Sequence, residues 1–148
     1  MGFLPTRFPN FFSPVWALLR LSRPLNILMI GAAVLLGRYL GSGDVRDADL
    51  LYASIAAGLL GAAGNIMNDL VDLKSDVINH PDRGLPSERV SIQNARIFLL
   101  VCLSLSLMAL AALSPNHWVV YGFSALLLGA YNWILERTPL FGNLAVSL

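Results

Sequence analysis

Asn65, Asp69, Asp72 and Asp76 follow one another at intervals of four, three and four residues, with Asn68 beside them. On a helix turning 100° per residue these five fall within an arc of about 100°, so one face carries three carboxylates and two amides. Lys74 points almost the opposite way. Carboxylates at such spacings repel one another, and in a partly desolvated cleft one of them takes up a proton unless a cation lies among them. Hard oxygen donors without His or Cys suit Mg²⁺, which keeps several waters and binds through one or two carboxylates together with phosphate oxygens. The plain alternative is a solvated helix end. The shared register and the apolar surroundings weigh against it, because ionisable groups at the mouth of a membrane bundle are functional by default. A Ca²⁺ loop of the EF-hand kind is a weak alternative, since it needs acids at alternate positions, a central Gly and a closing Glu.

The elements that must position this face are read from hydropathy. Of 148 residues 56% are hydrophobic and 13% charged, against about 25% charged in soluble domains, and mean hydropathy is +0.65. Lipid is therefore the expected solvent. A net charge of +1 gives no basis for a nucleic-acid partner, and the single cysteine, Cys102, lies in an apolar run and has no internal disulfide partner.

A crossing needs roughly 20 mostly apolar residues. Residues 24–40 form the first candidate, with Arg38 near its end, and residues 50–68, free of charge, form the second. Residues 97–135 are again uncharged but too long for one crossing. Ser114-Pro115-Asn116-His117 marks a turn between a third and a fourth helix. A further apolar stretch begins at Leu140 and stops at about half a crossing. The expected fold is all-α: a polytopic transmembrane helix bundle with about four complete spanning helices plus the start of a fifth. Residues 1–23, with Arg7, Arg20, Phe8, Phe11, Phe12 and Trp16 among prolines, read as an N-terminal interfacial segment. Residues 24–148 read as the N-terminal half of a truncated transmembrane domain. No internal repeat is present.

Placing the N-terminus in the cytoplasm puts Arg7, Arg20, Arg23, Lys74, Arg83, Arg89, Arg96 and Arg137 inside and only Arg38 and Arg46 outside. That asymmetry follows the positive-inside rule. The acidic face and the charged connection after it, residues 69–96, are then expected on the inner side of the cell membrane. In that connection Arg83 and Arg89 offer guanidinium forks matched to phosphate oxygens, and ordinary topology accounts for them equally well. Ser91 is placed to cap the third helix. His80 and His117 have no second His or Cys at ligand spacing.

Residues 64–91 resemble the UbiA prenyltransferase superfamily, whose signature reads Asn-Asp-x-x-Asp-x-x-x-Asp followed by a basic, proline-containing loop. Asn68, Asp69, Asp72 and Asp76 match it position by position. The stretch from Asn79 to Ser91 is similar to the loop of the branch that makes archaeal-type ether lipids and to that of chlorophyll synthases, with Gly84 and Glu88 where the family usually has a proline and a glycine. Arg23-Pro24-Leu25-Asn26 resembles the family's entry motif, and residues 131–137 with Gly142-Asn143 its fourth and fifth helices.

The resemblance implies Mg²⁺-dependent transfer of a polyprenyl group, with geranylgeranyl as the expected donor chain, from its diphosphate within the membrane. Asn68, Asp69, Asp72 and Asp76 would hold the metal, with Asp69, Asp72 and Asp76 as catalytic residues. Asn26, Asn65, Arg83, Arg89 and Tyr131 would line the substrate cavity. The acceptor would be a lipid such as geranylgeranylglycerol phosphate. An aromatic quinone or chlorophyll-type precursor is the competitor, and a non-catalytic membrane subunit is the alternative of another class.

Overall fold

The computed structural model describes residues 12–41, 45–81 and 83–131. Among the described residues there are six helices and no strand: α1 (Phe12–Leu21), α2 (Pro24–Leu40), α3 (Asp47–Val71), α4 (Leu73–Asn79), α5 (Ile92–Ala111) and α6 (Pro115–Ala130). Their ends follow local chemistry. Pro24 and Pro115 open α2 and α6, where a missing N–H costs nothing. The guanidinium of Arg46 grips Asp49 in the first turn of α3 at 2.9 and 2.8 Å, and Asp47 and Asp49 suit the positive end of the helix dipole. Ser91 Oγ accepts the Asn94 N–H at 3.1 Å, the cap expected from sequence.

Residues 24–40 are helical over the expected range, whereas the second helix extends three residues beyond its expected range at both ends. Two described helices, α3 and α5, are long and apolar enough to cross a membrane alone, and α1 with α2, bent by 48°, makes a third candidate. The fourth candidate, α6, is described over 16 residues, and the start of a fifth lies outside the described residues. In the α5–α6 hairpin the chain turns at 112–114 and is helical again from Pro115, slightly earlier than the expected turn at 114–117.

At the centre stands α3, which touches every other helix. Its Ala62, Ala63 and Ile66 form a core with Ala95 and Cys102 of α5 and with Ala17 and Leu21 of α1. Nearer its start, Ala56 packs on Ala109, Leu110 and Leu113. Small residues let the neighbours come close, as in membrane helix pairs generally. A Cβ on Gly64 would stand 2.5 Å from Leu128 Cδ2, and one on Gly61 would collide with the Ile30 side chain. The outward faces remain apolar: Leu28, Met29 and Leu40 of α2 and Val119, Phe123 and Leu126 of α6 are exposed. So large an apolar exterior is compatible with lipid and not with water, and the chain is that of an integral membrane protein.

Candidate functional site

The acidic face is not carried on one continuous helix, as its spacing implies. α3 ends at Val71, Asp72 occupies the joint at φ −82°, ψ 0°, and α4 starts at Leu73. Because Asp72 keeps a near-helical backbone, the face survives the break. The cause of the break is tertiary: Leu73 packs against the main core and Asp76 turns toward the following loop.

Asp69 and Asp76 are 7% and 6% exposed, an unusual state for carboxylates. Each is answered by an arginine from a different part of the chain. Arg23 Nη2 lies 2.7 Å from Asp69 Oδ1, and Arg83 Nη1 lies 2.8 Å from Asp76 Oδ2. Asn68 Nδ2 donates to Asp72 Oδ2 at 3.0 Å, one helical turn on. Every carboxylate of the three thus has one oxygen engaged, and the other has no hydrogen-bond partner among the described residues.

The arginines are positioned by well-anchored backbone. Arg23 sits at the bend between α1 and α2 in the left-handed region, φ 52°, ψ 72°, which costs a non-glycine residue about 1–2 kcal/mol. Asn65, on α3, donates to the Ser22 carbonyl at 2.9 Å and ties this bend down. Arg83 belongs to a loop pinned by Leu85 and Val90, both in the core cluster with Leu21. There Gly84 approaches Leu21 so closely that a Cβ would meet it at 3.3 Å. Glu88 closes the loop at φ 57°, again left-handed.

The sequence-derived residues therefore divide. Asn68, Asp69, Asp72, Asp76 and Arg83 come together, and Asn65 supports them from behind. Asn26 and Arg89 are exposed, and Tyr131 is half-buried at the end of α6. No hydrogen bond joins any of these three to the acids among the described residues. Lys74 is exposed, as expected. Arg23 was not among the expected site residues, although the Arg-Pro-Leu-Asn motif that begins with it is the signal that marks the position.

Two arginines set against three carboxylates leave a net negative cluster at the C-terminal end of α3, where the helix dipole is also negative. Such a cluster attracts cations. Among the described residues no three His, Cys, Asp or Glu side chains converge into a ready metal cage. The open oxygens of Asp69 and Asp72 instead fit an ion that takes one or two carboxylates and completes its shell with water and phosphate, the habit of Mg²⁺. The side chains of Arg23 and Arg83 are partly exposed, at 38% and 44%, so their guanidinium groups have solvent-accessible surface with which anion oxygens could be bound. Farther along α3, a cavity of about 400 Å³ opens between α2, α3, α6 and the α5–α6 turn, its walls including Ile30, Val34, Ala57, Gly61, Tyr121 and Leu128.

A model described as the UbiA prenyltransferase family matches residues 27–148. The chain is 35% identical over 131 residues to digeranylgeranylglyceryl phosphate synthase of Methanopyrus kandleri, covering 88% of this chain and 48% of that protein. It is 34% identical over 134 residues to the enzyme of the same name from Methanoculleus marisnigri, covering 90% and 47%. Its backbone matches a solved structure described as digeranylgeranylglyceryl phosphate synthase in membranes with a TM-score of 0.82 at 24% identity, over 90% of this chain and 48% of that one. The chain spans about half the length of the curated relatives it matches.

Proposed function

The chain belongs to the UbiA prenyltransferase family, and on that footing we propose that the full-length protein is an intramembrane Mg²⁺-dependent prenyltransferase that moves a geranylgeranyl group from its diphosphate to geranylgeranylglycerol phosphate. The observation that carries this reading is the half-engaged state of Asp69, Asp72 and Asp76, each holding one protein partner and offering one open oxygen, with an arginine on Asp69 and on Asp76 and an asparagine on Asp72. The names of the relatives support the choice of donor and acceptor over an aromatic acceptor.

In this reading Asp69 and Asp72, with Asn68 and Asp76 beside them, hold the cation, and Arg23 and Arg83 hold diphosphate oxygens. What Mg²⁺ supplies when bound is positive charge on the diphosphate, which makes it a better leaving group. The bond between the first prenyl carbon and the diphosphate oxygen breaks, and the glycerol hydroxyl oxygen forms the new ether bond as its proton is lost to the diphosphate or water. The walls of α2, α3 and α6 keep water from the allylic cation. The acids and both arginines share one end of the bundle, and the positive-inside pattern supports a cytoplasmic position for that end.

The test is transfer of labelled geranylgeranyl diphosphate by the full-length protein in lipid nanodiscs. Asp69→Ala and Asp72→Ala are expected to lower the rate by roughly two to three orders of magnitude, and chelation to abolish it until Mg²⁺ is restored. Absence of transfer to any lipid or aromatic acceptor, with diphosphate binding unchanged by Asp69→Ala, overturns the reading.

A further inference from the structure

The cavity beside α3 is lined almost wholly by carbon and shares no residue with the charged cluster. Leu128, which forms part of its wall, packs over Gly64, between the acids and the cavity. At ~1.5 Å per residue, the wall residues Gly61, Ala56 and Ala53 lie ~12, ~20 and ~24 Å along α3 from Asp69.

One polar arrangement stands at the deeper level. Ser106, fully buried on α5, donates to the Ala56 carbonyl at 2.7 Å, and the Tyr121 hydroxyl lies 2.9 Å from the same Ser106 oxygen. Since the Ser106 proton is committed to Ala56, the Tyr121 hydroxyl is the donor of the second bond. The two bonds join α3, α5 and α6 and fix the Tyr121 ring in the cavity wall at the level of Ala56. Leu110, Leu113 and His117 complete the far end.

From this geometry we infer that the cavity receives the distal isoprene units of the prenyl donor and that Tyr121 sets the length of chain accepted. The inference rests on the proposed prenyl-diphosphate reading of the acids. An extended geranylgeranyl backbone of sixteen carbons reaches roughly 20 Å at ~1.3 Å of advance per bond. With diphosphate and cation between its first carbon and the carboxylates, its last unit falls at the level of Ala56 and Ala53, where the Tyr121 ring stands. A chain one unit longer meets that ring, and one unit shorter leaves the end of the cavity unfilled.

The experiment compares kcat/KM of the full-length protein in nanodiscs for farnesyl, geranylgeranyl and geranylfarnesyl diphosphates. Tyr121→Ala is expected to shift the geranylfarnesyl-to-geranylgeranyl ratio upward by roughly tenfold or more. Ala57→Leu, which adds bulk to the α3 wall of the same cavity, is expected to shift preference toward farnesyl. Opposite shifts in the two variants exclude a general loss of folding as the cause. Unchanged ratios in both variants, with transfer retained, overturn the inference and leave the prenyltransferase reading standing. If the wild type transfers none of the donors, that reading fails instead. A geranylgeranyl diphosphate with a photoreactive terminal unit then decides the cavity: labelling of the Leu110–Tyr121 peptide supports it, and labelling elsewhere overturns it.

Discussion

Replacing Arg23 with Ala removes the cation that answers Asp69 and leaves a carboxylate whose side chain is 10% exposed. Breaking a fully buried pair by deleting one partner costs about 3–5 kcal/mol, but the Arg23 side chain is 38% exposed. Water therefore reaches the pair from one side, and the coupling falls to about 2 kcal/mol. The backbone adds a second, separable effect. Arg23→Ala keeps a Cβ in the left-handed conformation, whereas Arg23→Gly removes the charge and relieves about 1 kcal/mol of strain. The expected order of stability is wild type, then Arg23→Gly, then Arg23→Ala. It is measured by denaturant titration in detergent micelles, with Asp69→Asn and the double variant completing a thermodynamic cycle. A coupling energy below about 0.5 kcal/mol, or Arg23→Gly no more stable than Arg23→Ala, refutes the reasoning.

Glu88→Gly places a residue without a Cβ at φ 57° and is expected to stabilise the fold by about 1 kcal/mol, read as a rise in Tm. Gly64→Ala pushes a methyl group into Leu128. Its overpacking cost of about 1–3 kcal/mol outweighs the gain in helix propensity, and adding Leu128→Ala is expected to recover much of the loss of Tm. Ser91→Ala deletes the cap of α5 and is expected to cost about 1 kcal/mol, with faster amide exchange confined to the first turn of that helix.

Local signals carried much of this structure. Pro24 opens α2, Ser91 opens α5, and the spacing of Asn65 to Asp76 marks the acidic face, because all of these act within a turn or two of chain. The break at Asp72 has no such signal: neither Gly nor Pro lies there, and its causes are contacts of Leu73 and Asp76 with other elements. The use of Arg23 was hidden for the same reason. A count of basic residues by side of the membrane registers its charge, but its partner Asp69 is 46 residues away. Asn65 shows the reverse case. It shares the acidic arc in sequence, yet its amide is spent on the Ser22 carbonyl, an acceptor that only the folded bend presents.

The position of α3 in contact with every other helix bears on how the protein is made. Synthesis proceeds from the N-terminus, so α2 enters the bilayer before α3, against which it packs, exists, and none of its described residues is fully buried even in the folded chain. It waits there as a lone, lipid-solvated rod. Emergence of α3 gives it the Gly58 and Gly61 surface against Ile27 and Ile30, and α5 and α6 then dock on the remaining sides of the same helix. Biogenesis thus passes through one obligatory hub, and a lesion in the small-residue surface of α3 is expected to strand the earlier helix as well as the later ones, sending the nascent chain to quality control before any active site exists.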